Sequence, residues 1–304
     1  MTIVITACTN RKRKSVPDRL SIGGLGKASL PQLAADWGCR LDAAADRFPA
    51  KEIYGGRGFQ EAVAAADAID ARLMIVSAGL GLVEASSEVP PYACTIVLGV
   101  QDSISCQVDG PFSATRWWAE LGRVSPFDLG LRDVAAAENG LILAALSDAY
   151  IDMVAGDLAA LPLSVRSRLR LFTRAPRTRI SSDLLPCVMP YDDRLDGPDS
   201  PIPGTLSDFA SRALRHFVEN IFYARHDRSV VEHSSAVSEV LAEWRRPEKV
   251  VRRREGDAGI LDILRAHWHD RSGISLARLR GEFNIACEQG RYSSLARIVR
   301  GELI

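Results

Sequence analysis

Cys8 directly follows a run of β-branched and apolar residues, Ile3-Val4-Ile5-Thr6-Ala7, and precedes Arg11, Lys12, Arg13 and Lys14. A cysteine attacks as its thiolate, and nearby cations favour that form. Cys8 is thus a candidate nucleophile, with Lys12 among the cations beside it. The plainer alternative is a small side chain filling space under a strand. Thr9 and Asn10 continue the turn, whose backbone N–H groups are candidates for cradling a phosphate or a base edge. A second stretch places Tyr54 and Arg57 around Gly55-Gly56 just before a helical pattern. A tyrosine ring can stack on a base, and a guanidinium can grip a phosphate or a guanine edge. The alternative is a packed ring and an arginine paired with a local carboxylate. A third stretch, Ser77-Ala78-Gly79-Leu80-Gly81, ends a buried apolar run. Gly79 and Gly81 there permit close backbone approach of a ligand or a positive φ, or merely allow tight packing.

Residues 186–206 hold five prolines and four aspartates, Asp192, Asp193, Asp196 and Asp199. Such a cluster could supply carboxylates for a ligand or for acid–base work, or could be a stiffened turn whose aspartates cap local backbone. Its spacing does not fit a calcium loop, and no metal is expected. His226, His233, His267 and His269 all lie late in the chain, and the triplet His267-Trp268-His269 would spread its rings in different directions on a helix.

These groups need elements to position them. Apolar runs at 2–7, 73–77, 93–100, 141–146 and 168–173 alternate with helical spacing at 31–47, 59–71 and around Tyr150-Ile151-Met153-Val154, and helices are expected from Ser207 to about Ala242. Alternation of that kind predicts an α/β fold, a mostly parallel open sheet with helices on both faces. Ligands in such sheets bind outside the carboxyl ends of strands, where Cys8-Thr9-Asn10 and Ser77–Gly81 would both fall. We expect an α/β domain over 1–242, a charged linker over 243–257, and over 258–304 a small all-helical module of helix-turn-helix type, broken at Ser272-Gly273 and near Asn284, with its middle helix starting at about Ser275. The linker and module carry Arg252, Arg253, Arg254, Arg278, Arg280 and Arg291, which either grip a DNA or RNA backbone or are simply solvated.

Composition narrows the class. Among 304 residues, 47% are apolar and 25% charged, with a formal net charge of zero, so nucleic-acid binding must come from a local patch. Six scattered cysteines without a C-x-x-C pair argue against a disulfide framework and a structural zinc site, and fit a reducing compartment. No apolar run has the length of a membrane span, and no secretory leader pattern is present, so a cytoplasmic location is expected.

In order, Cys8 with Lys12, Pro49-Ala50 with Ile53-Tyr54 and Phe59, Ser77-Ala78 with Gly81-Leu82, and Pro91-Tyr92 resemble the pattern C-S-x-x-K, P-A-x-x-L-Y-x-x-x-x-F, L-S-A-x-x-G-L and P-Y of an uncharacterised bacterial and phage domain family. That family looks related to the end domain of archaeosine synthase-type and transglycosylase-associated proteins of 7-deazaguanine metabolism. The resemblance covers about the first hundred residues, with Thr9 where serine is usual. It implies a nucleobase or nucleotide ligand and a role in nucleic-acid modification, with no cofactor. Cys8 would add to a nitrile at the 7-position of a deazaguanine, as a hydrolase or hydratase does, with Lys12 or Glu88 moving protons and Tyr54, Tyr92 and the Ser77–Gly81 turn around the base. Two rivals stand beside it: a non-catalytic recognition protein for a modified base in phage defence, and an N-glycosidase or base-exchange enzyme using an aspartate of 192–199.

Overall fold

The computed structural model describes residues 1–223, 228–248, 251–268 and 273–302. They divide into two compact units, Met1–Pro247 and Glu248–Ile304. The first contains the strands β1 (Ile3–Ala7), β2 (Phe48–Pro49), β3 (Arg72–Ser77), β4 (Gly81–Glu84), β5 (Glu88–Val89), β6 (Ile142–Ala145) and β7 (Leu169–Phe172).

Five strands make one sheet in the order β4-β3-β1-β6-β7, parallel except for the hairpin partner β4. Strand β1 lies in the middle, with Ile5 opposite both Met74 of β3 and Ala144 of β6. Its first four residues are buried, as are all four of β6 and β7. A parallel strand covered on both faces carries an unbroken apolar run, and these do. Helix Arg57–Ala68 packs on β1 and on helix Phe209–Phe217, which also covers β6 and β7. A separate row consists of Leu30–Asp42, Ala114–Val124 and Asp148–Ala159, packed side by side. The α/β reading therefore holds.

Two local expectations change. The apolar stretch 93–100 is not a strand of the sheet; Ala93 and Thr95 make only isolated bridges, to Ser21 and Ser103. The turn after β3 is the corner of a hairpin, because Gly81 takes φ of 85° and Ser77 pairs back with it. Helix Phe209–Phe217 runs into a π turn, Val218–Phe222, and Val230–Ala242 is a separate helix with its own capping box, Ser229 with Glu232. No helix among the described residues is long and apolar enough to cross a membrane.

In the second unit, helices Asp257–Ala266, Leu276–Gly281 and Gln289–Glu302 enclose Ile260, Leu264, Leu279, Leu295 and Val299. Ser275 caps the middle helix by accepting from Arg278 N–H, and Gly273 and Asn284 both take positive φ at the breaks. The unit is not all helix: β8 (Arg253–Arg254) pairs with β9 (Ile285–Ala286). That ladder draws the second half of the expected linker into the unit.

Candidate functional site

From β1 the chain builds outward to β3 on one side and to β6 on the other. Loops leaving β1 and β6 must diverge, and a crevice opens between them, the usual ligand position in such sheets. Here the crevice has a volume of about 450 Å³. Its floor is the end of β1 (Thr6, Ala7, Cys8) and the end of β6 (Ala145, Ser147); Gly55 to Phe59, Tyr150, Arg174 and Thr205 to Ser211 wall it.

Cys8 continues the ladder, its N–H donating to Val76 O at 2.9 Å, so its position is set by the sheet. Cys8 is 5% exposed and borders the crevice; its sulfur lies 3.0 Å from the Tyr150 hydroxyl and accepts from Ala78 N–H at 3.5 Å. Tyr150 sits in the first turn of helix Asp148–Ala159. Burial, then the nearby Cys8 thiol, pushes its pKa well up, so the phenol keeps its proton and can donate to a thiolate. Thr9 closes the turn, its hydroxyl donating to Gly55 O at 2.7 Å. Arg57 is half-exposed, 3.2 Å from Glu61 and 3.7 Å from Asp208. Arg11 also borders the crevice.

The other expected residues lie elsewhere. Lys12 and Asn10 border a second hollow of about 420 Å³ with Tyr92, Cys94 and Asp102. The Lys12 ammonium donates to Thr9 O at 2.5 Å and lies over the rings of Tyr54 and Tyr92, at 4.8 and 4.5 Å. Burial lowers its pKa, against the opposing pull of Cys8, Cys94 and Asp102. Tyr54 does not stack beneath a ligand: it is fully buried, packed on Phe59 and Tyr92, with its hydroxyl 3.1 Å from that of Tyr92 and 3.4 Å from Ser77. Ser77 and Tyr92 are equally buried, their hydroxyls 2.6 Å apart.

The Ser77–Gly81 turn is not a ligand cradle either, because its polar groups are bonded inside the protein. Ser77 accepts from Gly79 and Leu80 N–H, while the carbonyls of Ala78, Gly79 and Leu80 accept from Trp117, Trp37 and Ser125. A Cβ at position 79 would fall 2.5 Å from the Tyr92 ring, and one at 81 would meet Asp128 at 2.2 Å. The glycines answer to packing. Glu88 is exposed on the β2–β5 ladder, opposite Pro49, and does not border the crevice.

The acidic loop is a set of ion pairs. Asp192 bonds Arg194 at 2.9 Å, Asp193 pairs with Arg246 at 2.9 Å, Asp196 with Arg174 at 3.2 Å, and Asp199 with Arg245 at 2.6 Å. None of the four borders the crevice, and Arg245 holds the Asp199 pKa down to about 2. No group of three His, Cys, Asp or Glu among the described residues is arranged to hold a metal. His216 and His233 are buried and bonded, to Tyr191 and Arg170; His226 and His269 lie outside the described residues.

The sequence reading did not single out Ser147, Asp148, Tyr150, Arg174 or Ser211. Ser147-Asp148 follows the apolar run 141–146, so the strand-end rule that pointed to Cys8 also points there. Arg174 and Ser211 carry no comparable signal, being brought to the crevice by the fold alone. In the second unit, Arg252, Arg254, Arg280 and Arg291 border one open groove of about 850 Å³. Arg280 donates to Cys287 O at 2.7 Å, and Arg291 to Glu255 O at 2.8 Å. Arg253 and Arg278 are paired with Glu255 and Glu282, and Arg291 is paired with Asp257 at 2.6 Å.

Comparison of the chain with protein-family models, with curated proteins and with solved structures returned no match.

Proposed function

We propose that the chain is an enzyme acting on a nucleobase or nucleotide of the 7-deazaguanine type, with Cys8 as its nucleophile. The observation that carries this is a thiol bordering the switch-point crevice with the Tyr150 hydroxyl 3.0 Å from its sulfur. In the nitrile version, the thiolate sulfur bonds to the nitrile carbon and the displaced π pair takes a proton on nitrogen, giving a thioimidate. Water then adds to that carbon, the C–S bond breaks, and the amide leaves with the thiol restored. Tyr150 keeps its proton and steadies the sulfur by donating a hydrogen bond to it, and the first proton to the nitrogen comes from water in the crevice. Lys12 borders the second hollow and is not a wall of the crevice. The base and sugar occupy the crevice, not the Tyr54–Tyr92 core. If the substrate is a polymer, the arginine groove of the second unit is the surface suited to its phosphates.

The test is turnover of a 7-cyano-7-deazaguanine nucleoside or base by the wild type and by Cys8→Ala. Loss of product with binding retained supports the proposal; undiminished turnover by Cys8→Ala refutes it. One observation favours the recognition reading in second place: among the described residues, no imidazole borders the crevice to act as a fast proton carrier. Tight binding without any product, unaffected by Cys8→Ala, would select it. The glycosidase reading loses its carboxylates to the ion pairs of the acidic loop.

A further inference from the structure

Two twelve-residue helices, Arg57–Ala68 and Asp148–Ala159, begin at the crevice, and neither has a side-chain cap. Gly56 has no side chain to offer, and the Ser147 hydroxyl is not used. The first-turn N–H groups of a helix need partners, and the helix dipole favours an anion beside them. Helix starts alone are common, but here two buried hydroxyls join them. Thr6 and Ser211 are 2% and 8% exposed and border the crevice, and neither hydroxyl has a hydrogen-bond partner among the described residues. Neither oxygen is sealed from the crevice, since Asp193 Oδ1 is the one buried side-chain oxygen or nitrogen without a hydrogen bond among the described residues, so both hydroxyls are open to a ligand there. The Ser211 oxygen faces the start of the first helix: a Cβ added to Gly58 would lie 3.7 Å from it.

The charges divide the crevice. Of its two carboxylates, Asp208 is held by Arg212 at 2.7 Å and by Thr205 N–H at 2.8 Å. Asp148 has no cationic partner among the described residues. We infer that the crevice holds a phosphate monoester of a nucleoside, its phosphate among the Gly56–Gly58 amides, Arg57, Thr6 and Ser211, and its ribose toward Asp148. The inference rests on the reading of the crevice as a nucleotide site and names the part of the ligand it grips hardest.

Calorimetry on the full chain tests it, with guanosine monophosphate, guanosine, ribose 5-phosphate and inorganic phosphate as probes. The monophosphate and ribose 5-phosphate should bind about tenfold or more tightly than guanosine, as charge-assisted bonds imply. Ser211→Ala should weaken both by about fivefold and leave guanosine unchanged. Arg57→Gln should weaken them further, and thermal melts establish that both variants are folded. Equal binding of guanosine and its monophosphate, indifference of both variants, or no binding of any probe overturns the inference. Inorganic phosphate binding as tightly as the monophosphate overturns its nucleoside part. Phosphate preference without any Cys8-dependent reaction sinks the proposed chemistry alone; Cys8-dependent turnover without phosphate preference sinks the subsite alone.

Discussion

At the scale of single residues, Cys8 and Tyr150 form the pair on which the proposed chemistry depends, and they come from positions 142 residues apart. Cys8 was legible because a thiol at a strand end followed by cations is a local pattern. Tyr150 was not, because only the parallel pairing of β1 with β6 brings it near. Tyr150→Phe removes the phenolic proton and keeps the ring; turnover should fall by about 10²-fold while ligand affinity changes little, measured as kcat against Kd. Tyr54 and Ser77 were read as ligand contacts from types that serve a core network equally well; the amphipathic ring is ambiguous until its burial is known. Gly79 offers a test of that correction. Gly79→Ala drives a methyl into the Tyr92 ring and should cost about 1–3 kcal/mol in urea unfolding. A variant as stable as the wild type would contradict the packing role.

At the scale of elements, strand and helix alternation was readable because buried parallel strands carry continuous apolar runs. The β3–β4 hairpin was missed because its return strand is short and begins at a glycine with positive φ. Helix Phe209–Phe217 carries Ser211 into the crevice and is anchored on its other side by His216, whose Nδ1 lies 2.7 Å from the Tyr191 hydroxyl and whose ring packs on Trp244. Burial lowers the His216 pKa to about 4. The unfolded chain takes up this proton near the ordinary imidazole value of about 6.5, the folded chain only near 4. The neutral folded form is therefore fully favoured above about 6.5, and stability is lost as the pH falls toward 4. Denaturant unfolding across that window should show a loss of up to about 3 kcal/mol from this site, flattened in His216→Phe. An unchanged pH profile in that variant would remove His216 as the source.

At the scale of the whole molecule, the shift to charged residues suggested a linker over 243–257, within which the two units divide at Pro247, and the breaks at Gly273 and Asn284 and the Ser275 cap were legible from turn and cap chemistry. The β8–β9 ladder was hidden, since two residues on each side are too few to set a period. The groove bordered by Arg252, Arg254, Arg280 and Arg291 is the proposed surface for phosphate backbones, a local patch in a chain of zero formal charge. Affinity of the full chain for double-stranded DNA should fall with salt, with a log–log slope of about −3, and Arg254→Ala with Arg252→Ala should reduce that slope by about 2. A slope unmoved by the double variant would place the contact elsewhere.

The most direct measurement is mass spectrometry of the acid-quenched full chain after incubation with a nitrile-bearing 7-deazaguanine. One ligand mass should be added per chain, mapped to the peptide containing Cys8 and absent from Cys8→Ala. No adduct, with the nitrile recovered unchanged, would contradict it.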